Sequence, residues 1–151
     1  MKKAYITGAT GAIGMALVGE LLKNGISTTV FLRKGSGRND RVKDSFSGEL
    51  ASGLLRIEYV SLEELSGYAL SRNTQDMQTY ASQDLLTKAA GGADAAVFYH
   101  LGWSGTFGTQ RNDADMQQKN VEYTLDAVRL AKRLGCVHFI GVGSQAEYGR
   151  F

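Results

Sequence analysis

Residues 4–14, Ala-Tyr-Ile-Thr-Gly-Ala-Thr-Gly-Ala-Ile-Gly, constrain the fold more than any other stretch. A short apolar run ends at Thr7, glycines follow at Gly8, Gly11 and Gly14, and a helical pattern begins at once. A strand that feeds a helix through such a turn can hold a pyrophosphate. One glycine serves where the backbone turns tightly, one where a diphosphate comes too close for a Cβ, and one where the helix packs on the strand. The helix start adds unpaired N–H groups and the positive end of its dipole. Glycine-rich turns are common, so the weight comes from this turn's place between a strand and a helix. The predicted cradle is Gly8, Thr10, Gly11 and Gly14 with the N–H groups of Ala12 and Ile13, the Ile13 side chain turning inward.

The rest of the chain alternates in the same way. Lys3 to Thr7 reads as a strand covered on both faces. Ala12 to Asn24 has helical spacing through Ile13, Leu17 and Leu21, and Asn24-Gly25 stops it. Ser27 to Leu32 is rich in β-branched residues, residues 33–41 form a polar loop, and Leu54 to Val60 is a third strand. Between Ser61 and Gly92 only a helix over Thr74 to Ala90 is expected. Ala95 to Leu101 is a buried strand. Asp113 to Leu134 is a long helix with Val121, Leu125 and Val128 on one face, stopped by Gly135, and Val137 to Val142 is a fifth strand. This alternation predicts an α/β, Rossmann-like, doubly wound parallel sheet of order 3-2-1-4-5.

At 151 residues the chain is one domain, large enough to bury roughly 70% of its unfolded surface. A net charge of +2 implies no broad basic face for nucleic acid. The one cysteine, Cys136, excludes an internal disulfide, fits a reduced cytoplasmic setting, and reads as a small buried hydrophobe rather than a metal ligand. Lys2 and Lys3 precede an apolar stretch, but its glycines and Glu20 argue against a signal peptide. No apolar run is long enough to span a membrane. Proline is absent and glycines number 19, so turns must rely on glycine and polar residues.

Four segments together resemble the extended short-chain dehydrogenase/reductase family, whose members act as nucleotide-sugar epimerases, dehydratases and reductases. Thr7-Gly8-Ala9-Thr10-Gly11-Ala12-Ile13-Gly14 is similar to its TGxxGxxG turn. Phe98-Tyr99-His100-Leu101-Gly102 resembles its V-x-H-x-A segment, with glycine where alanine is usual. Lys119-Asn120-Val121-Glu122-Tyr123-Thr124 resembles its N-V-x-G-T stretch, with Tyr123 for the glycine. Gly143-Ser144-Gln145-Ala146-Glu147-Tyr148-Gly149 resembles its S-S-x-x-x-Y-G segment. They occur in the family's order across nearly the whole chain.

The resemblance implies NAD(P) as cofactor, with Leu101, Gly102 and Trp103 facing its nicotinamide half. It implies that Ser144 hydrogen-bonds the reacting sugar oxygen and that Asn120 organises the active-site side of the helix. Each has a plainer alternative: a strand-end turn for Ser144, a solvent-facing residue for Asn120, and packing under the following loop for Trp103. His100, inside an apolar strand, reads as a hydrogen-bonded structural histidine rather than a general base. Arg33 stands where NAD-binding members carry an acid, and no Asp or Glu occurs from Ser27 to Asn39. A guanidinium there can pair with a 2′-phosphate, so NADP is expected over NAD, the alternative being a solvated basic loop.

Two departures qualify the resemblance. Val60-Ser61-Leu62 replaces G-D-L after the third strand, leaving at most a weak adenine contact from Ser61. No tyrosine is followed by lysine four residues on, so the family's catalytic Tyr-x-x-x-Lys pair is missing. Phe151 lies where the resemblance places the approach to the catalytic helix, so the chain reads as an N-terminal half, residues 1–151 forming the NAD(P)-binding domain. The parent would carry the Tyr/Lys helix and a region for a nucleotide-sugar substrate, and this half would be inactive. An edge strand and the helix 113–134 predict a homo-oligomer. A non-enzymatic, redox-sensing NAD(P) binder and a purely structural α/β domain remain rival readings.

Overall fold

The computed structural model describes residues 1–71 and 95–143. Five parallel strands form one sheet, β1 (Lys3–Thr7), β2 (Ser27–Leu32), β3 (Leu55–Tyr59), β4 (Ala96–His100) and β5 (Cys136–Gly141). Their order is β3-β2-β1-β4-β5, as the alternation predicts. β1 pairs with β2 on one side, Ile6 opposite Val30, and with β4 on the other, Tyr5 opposite Phe98.

Successive strand residues point to opposite faces, so each face needs its own helical cover. On one face Ala4, Ile6, Val30, Leu32 and Leu55 pack under α1 (Ala12–Lys23) and α2 (Asn39–Ser45), which supply Val18, Leu21, Leu22 and Val42. On the other, Phe31 and Phe98 pack under α4 (Leu65–Ser71) and α5 (Ala114–Arg133), which supply Leu65, Ala69, Ala127, Leu130 and Ala131; α3 (Ser47–Ala51) precedes β3. That second face carries an aromatic row. Tyr5 and Phe98, Phe98 and Phe31, and Phe98 and Phe139 stack with ring centroids 6.4, 5.9 and 5.7 Å apart. Offset contacts of this kind add to what burial alone contributes.

Helix ends follow local chemistry. Beyond α1, Gly25 adopts φ +69°, its N–H bonds to Leu22 O at 2.9 Å and that of Ile26 to Leu21 O at 3.0 Å, closing the helix in a Schellman motif. Asp113 caps α5 by accepting from the Met116 N–H at 3.1 Å.

Three expectations are corrected. The loop after β2 stops at Arg38, because α2 begins at Asn39, whose side chain grips the Arg33 carbonyl. The Ile13 side chain does not turn inward and is 65% exposed. The buried face of α1 runs through Gly14, Val18, Leu21 and Leu22, one position out of step with Ile13. Cys136 is only partly buried, at the rim of the second core. On α5, Val121, Leu125 and Val128 do share a face, but it is the exposed one; Asn120, Ala127, Leu130 and Ala131 face the sheet. The helix expected over Thr74 to Ala90 lies outside the described residues. Among the described residues no helix is long and apolar enough to cross a membrane.

Candidate functional site: a cleft at the strand ends

In a parallel sheet the carboxyl ends of all strands lie at one edge. Chain connections leave β1 toward β2 on one side and reach β4 on the other, so a crevice opens where they diverge. A cleft of about 870 Å³ occupies that crevice. The turn Thr7–Gly11 forms its floor, Arg33, Ser36, Arg38 and Asn39 one end, and Leu101–Phe107 with Lys119 and Tyr123 of α5 the other.

The three glycines of the turn do different work. Gly8 has φ +74°, and a Cβ there would lie 2.5 Å from the Leu101 carbonyl carbon. Gly14 is buried, and a Cβ on it would lie 2.3 Å from Gly8 O and 2.7 Å from Ala9 Cα, so it lets α1 sit on the turn. Gly11 has ordinary extended backbone and is exposed; its nearest obstacle to a Cβ is Gly8 O at 3.5 Å. Protein packing therefore requires Gly8 and Gly14 but not Gly11, which faces the cleft.

The start of α1 is also bare. Gly11 is its N-cap, no side chain caps it, and its first turn has no acid. The first intrahelical bond is from Met15 N–H to Gly11 O at 2.8 Å, leaving the N–H groups of Ala12 and Ile13 without a partner among the described residues. Twelve helical residues direct the positive end of their dipole at this point. These residues fit an anionic cofactor group: Gly8, Thr10 and Gly11 would surround it and the Ala12 and Ile13 N–H groups would bond it.

At the far end the loop after β4 is held by side chains (a feature only tertiary contacts reveal). Asn120 is 1% exposed, not solvent-facing; its Oδ1 accepts from the Ser104 N–H and its Nδ2 donates to Ser104 O, each at 2.8 Å. Trp103 is 43% exposed on the cleft, and its Nε1 donates to Gln117 Oε1 at 2.9 Å. Leu101 and Gly102 lie against the glycine turn, with Leu101 N–H bonded to Thr7 O at 3.2 Å. His100 is 3% exposed between the hydroxyls of Thr7 and Thr124, as a structural histidine should be, and burial pushes its pKa down to about 4.

Arg33 and Arg38 are exposed at the other end of the cleft. Asn39 was not anticipated from sequence. It is 4% exposed, and its Nδ2 donates to Arg33 O at 2.9 Å, fixing the loop that carries both arginines. Its Oδ1 is buried with no partner among the described residues. Ser61 lines the cleft, but its side chain is already engaged with Glu64, accepting from the Glu64 N–H and hydrogen-bonding the Glu64 carboxylate. The Glu64 carboxylate returns to the Ser61 N–H at 2.8 Å, a bond that holds its pKa below the usual range. Ser144 lies outside the described residues, and among those described no cluster of side chains could hold a metal.

The model of the NAD dependent epimerase/dehydratase family matches residues 4–151, nearly the whole chain. The chain belongs to that family. No curated protein matches it. Among solved structures it is similar in fold to the yeast methylglyoxal/isovaleraldehyde reductase complexed with NADPH, at TM-score 0.66 and 16% identity. That match covers 95% of this chain and 37% of the reductase. A UDP-glucose 4-epimerase matches at TM-score 0.64 and 15% identity over 98% of this chain and 37% of that one. The UDP-Glc/GlcNAc 4-epimerase of Campylobacter jejuni matches at TM-score 0.64 and 19% identity, over 99% and 39%. At these identities the likeness speaks to fold alone. The chain spans less than two-fifths of the length of these epimerase and reductase structures.

Proposed function

We propose that this chain is the NADP(H)-binding portion of an enzyme that oxidises or reduces a carbon of a nucleotide sugar, as an epimerase, dehydratase or reductase. The observation that carries this reading is the uncapped start of α1 above a glycine that packing does not require. The pyrophosphate would lie against Gly11 and the N–H groups of Ala12 and Ile13. The nicotinamide would meet Leu101, Gly102 and Trp103, and the adenosine end would meet Arg33. A bound nicotinamide supplies or accepts the hydride. Among the described residues only Glu63 brings a carboxylate to the cleft, its partner there is Tyr123, and no acid stands from residue 27 to 39, which favours a 2′-phosphate over a bare ribose.

Asn120 and Ser144 would act on the substrate side, Asn120 by holding Ser104 in place. With no Tyr-x-x-x-Lys pair, the chain alone would bind cofactor without turning over substrate. A cytoplasmic setting belongs to the same reading. So does self-association through the exposed Val121, Leu125 and Val128 of α5.

Calorimetric titration with NADPH and NADH tests the central point. NADPH should bind more tightly, and Arg33→Ala should weaken NADPH about 10- to 100-fold, the equivalent of one or two charge-assisted hydrogen bonds, with little change for NADH. Tighter binding of NADH by the unaltered chain would reverse the cofactor assignment. Binding of neither would remove the proposed function.

A further inference from the structure

A directional chain of hydrogen bonds crosses the cleft end of the sheet. The Thr124 hydroxyl donates to Asn120 O at 2.9 Å, so its single proton is committed. Toward His100 Nε2, 3.3 Å away, that hydroxyl can only accept, which requires a proton on Nε2. A neutral imidazole protonated at Nε2 has a bare Nδ1. Thr7 Oγ1 lies 2.8 Å from Nδ1 and must therefore donate to it. That same oxygen accepts from the Gly102 N–H at 3.3 Å. Every donor and acceptor then has one assignment, from Gly102 through Thr7, His100 and Thr124 to the main chain of α5.

We infer that His100 is a positioning residue whose Nε2-protonated tautomer fixes the Leu101–Gly105 loop between the glycine turn and α5. The other tautomer would set an Nε2 lone pair against a Thr124 oxygen whose proton is already used, and turn the Thr7 hydroxyl away from its donor role. The loop is held at Leu101 and Gly102 through Thr7 and at Ser104 through Asn120, and Trp103 between them is presented to the cleft. The role in cofactor binding rests on the function proposed above: the loop that would meet the nicotinamide is set before any ligand arrives.

The full chain labelled with ¹⁵N-histidine tests this through ring-nitrogen correlations, supported by amide exchange. His100 should show a protonated Nε2 and a bare Nδ1. Thr124→Val keeps the shape but removes the acceptor. It should bring in the Nδ1-protonated form and speed exchange of the Gly102 N–H by about tenfold, as loss of one hydrogen bond would. Thr124→Ser should restore both. A protonated Nδ1 in the unaltered protein overturns the inference, and so does a Thr124→Val variant with unchanged tautomer and unchanged exchange. Neither measurement needs a cofactor, so failure of NADPH to bind would defeat the proposed function while leaving this one standing. If NADPH binds, Thr124→Val should weaken it more than it weakens 2′-phospho-ADP-ribose, which lacks the nicotinamide. Equal weakening would show that the chain does not act through the loop.

Discussion

Alanine substitutions at Gly14 and Gly11 should separate the two jobs of the turn. At Gly14 the new Cβ would lie 2.3 Å from Gly8 O, 2.7 Å from Ala9 Cα and 2.9 Å from Ala9 C, all backbone atoms. Relief requires moving α1 against the turn by about an ångström, since carbon–oxygen contacts rest near 3.5 Å. Overpacking costs about 1–3 kcal/mol, and a rigid backbone neighbour puts this site at the upper end. Alanine's better helix propensity returns about 1 kcal/mol, leaving a net loss near 2 kcal/mol. For a chain of this size that lowers the thermal midpoint by about 4–8 °C. At Gly11 the same Cβ makes an ordinary 3.5 Å contact, so Gly11→Ala should lose only the small preference for glycine over alanine at an N-cap, under about 1 kcal/mol. Its methyl would nevertheless occupy the face offered to the diphosphate. Thermal unfolding by circular dichroism, paired with NADPH calorimetry, reads both effects. Gly14→Ala should melt early, and Gly11→Ala should melt near the parent yet bind NADPH at least tenfold more weakly. A Gly11→Ala protein with full affinity, or a Gly14→Ala protein with an unchanged midpoint, would refute the division of labour.

The remaining predictions concern the loop, the histidine and the surface. His100 is held neutral with a pKa of about 4, whereas an unfolded histidine titrates near 6.5. The unfolded chain therefore takes up a proton that the folded chain refuses. Stability contributed by the neutral ring is complete above about pH 6.5 and falls by up to about 3 kcal/mol as pH drops toward 4. Urea unfolding at several pH values should show this slope, and His100→Gln should flatten it; an unchanged slope would rule His100 out as the source. Asn120→Ala should cost about 2–3 kcal/mol, because it strands the Ser104 N–H and carbonyl, a loss that shows in the denaturation midpoint. If α5 mediates self-association, Leu125→Glu should change the stability of the monomer by no more than about 0.5 kcal/mol and shift light scattering toward monomer. A monomer before substitution would end that proposal.

Fold and site were legible to different depths. The extents of β1 and β2 are those predicted, because a run buried on both faces or rich in β-branched residues is a local signal. The third to fifth strands differ from the predicted bounds by one residue at each end. The short helices α2 and α3 have weak sequence signals, since Val42 is the only apolar side chain α2 buries and α3 buries none. On α5 the apolar period of Val121, Leu125 and Val128 marks a face without saying which way it points. The sheet-facing side carries alanines and Asn120, whose value appears only when Ser104 comes within reach.

By itself the amino-acid order determined the alternation of strand and helix, the place of the glycine turn, and the lack of acid beside Arg33. All of these depend on neighbours within a few positions. Tertiary structure alone decided that Gly14 rather than Gly11 is needed for packing, that Asn39 grips the loop carrying Arg33, and that Ile13 faces water. It also decided the partners of His100, because Thr7 lies 93 residues away along the chain and Thr124 another 24 beyond, and only the finished sheet brings all three together. A hydrogen-bond partner in a buried site is a matter of ångströms, and residue order along a chain does not specify distance through space.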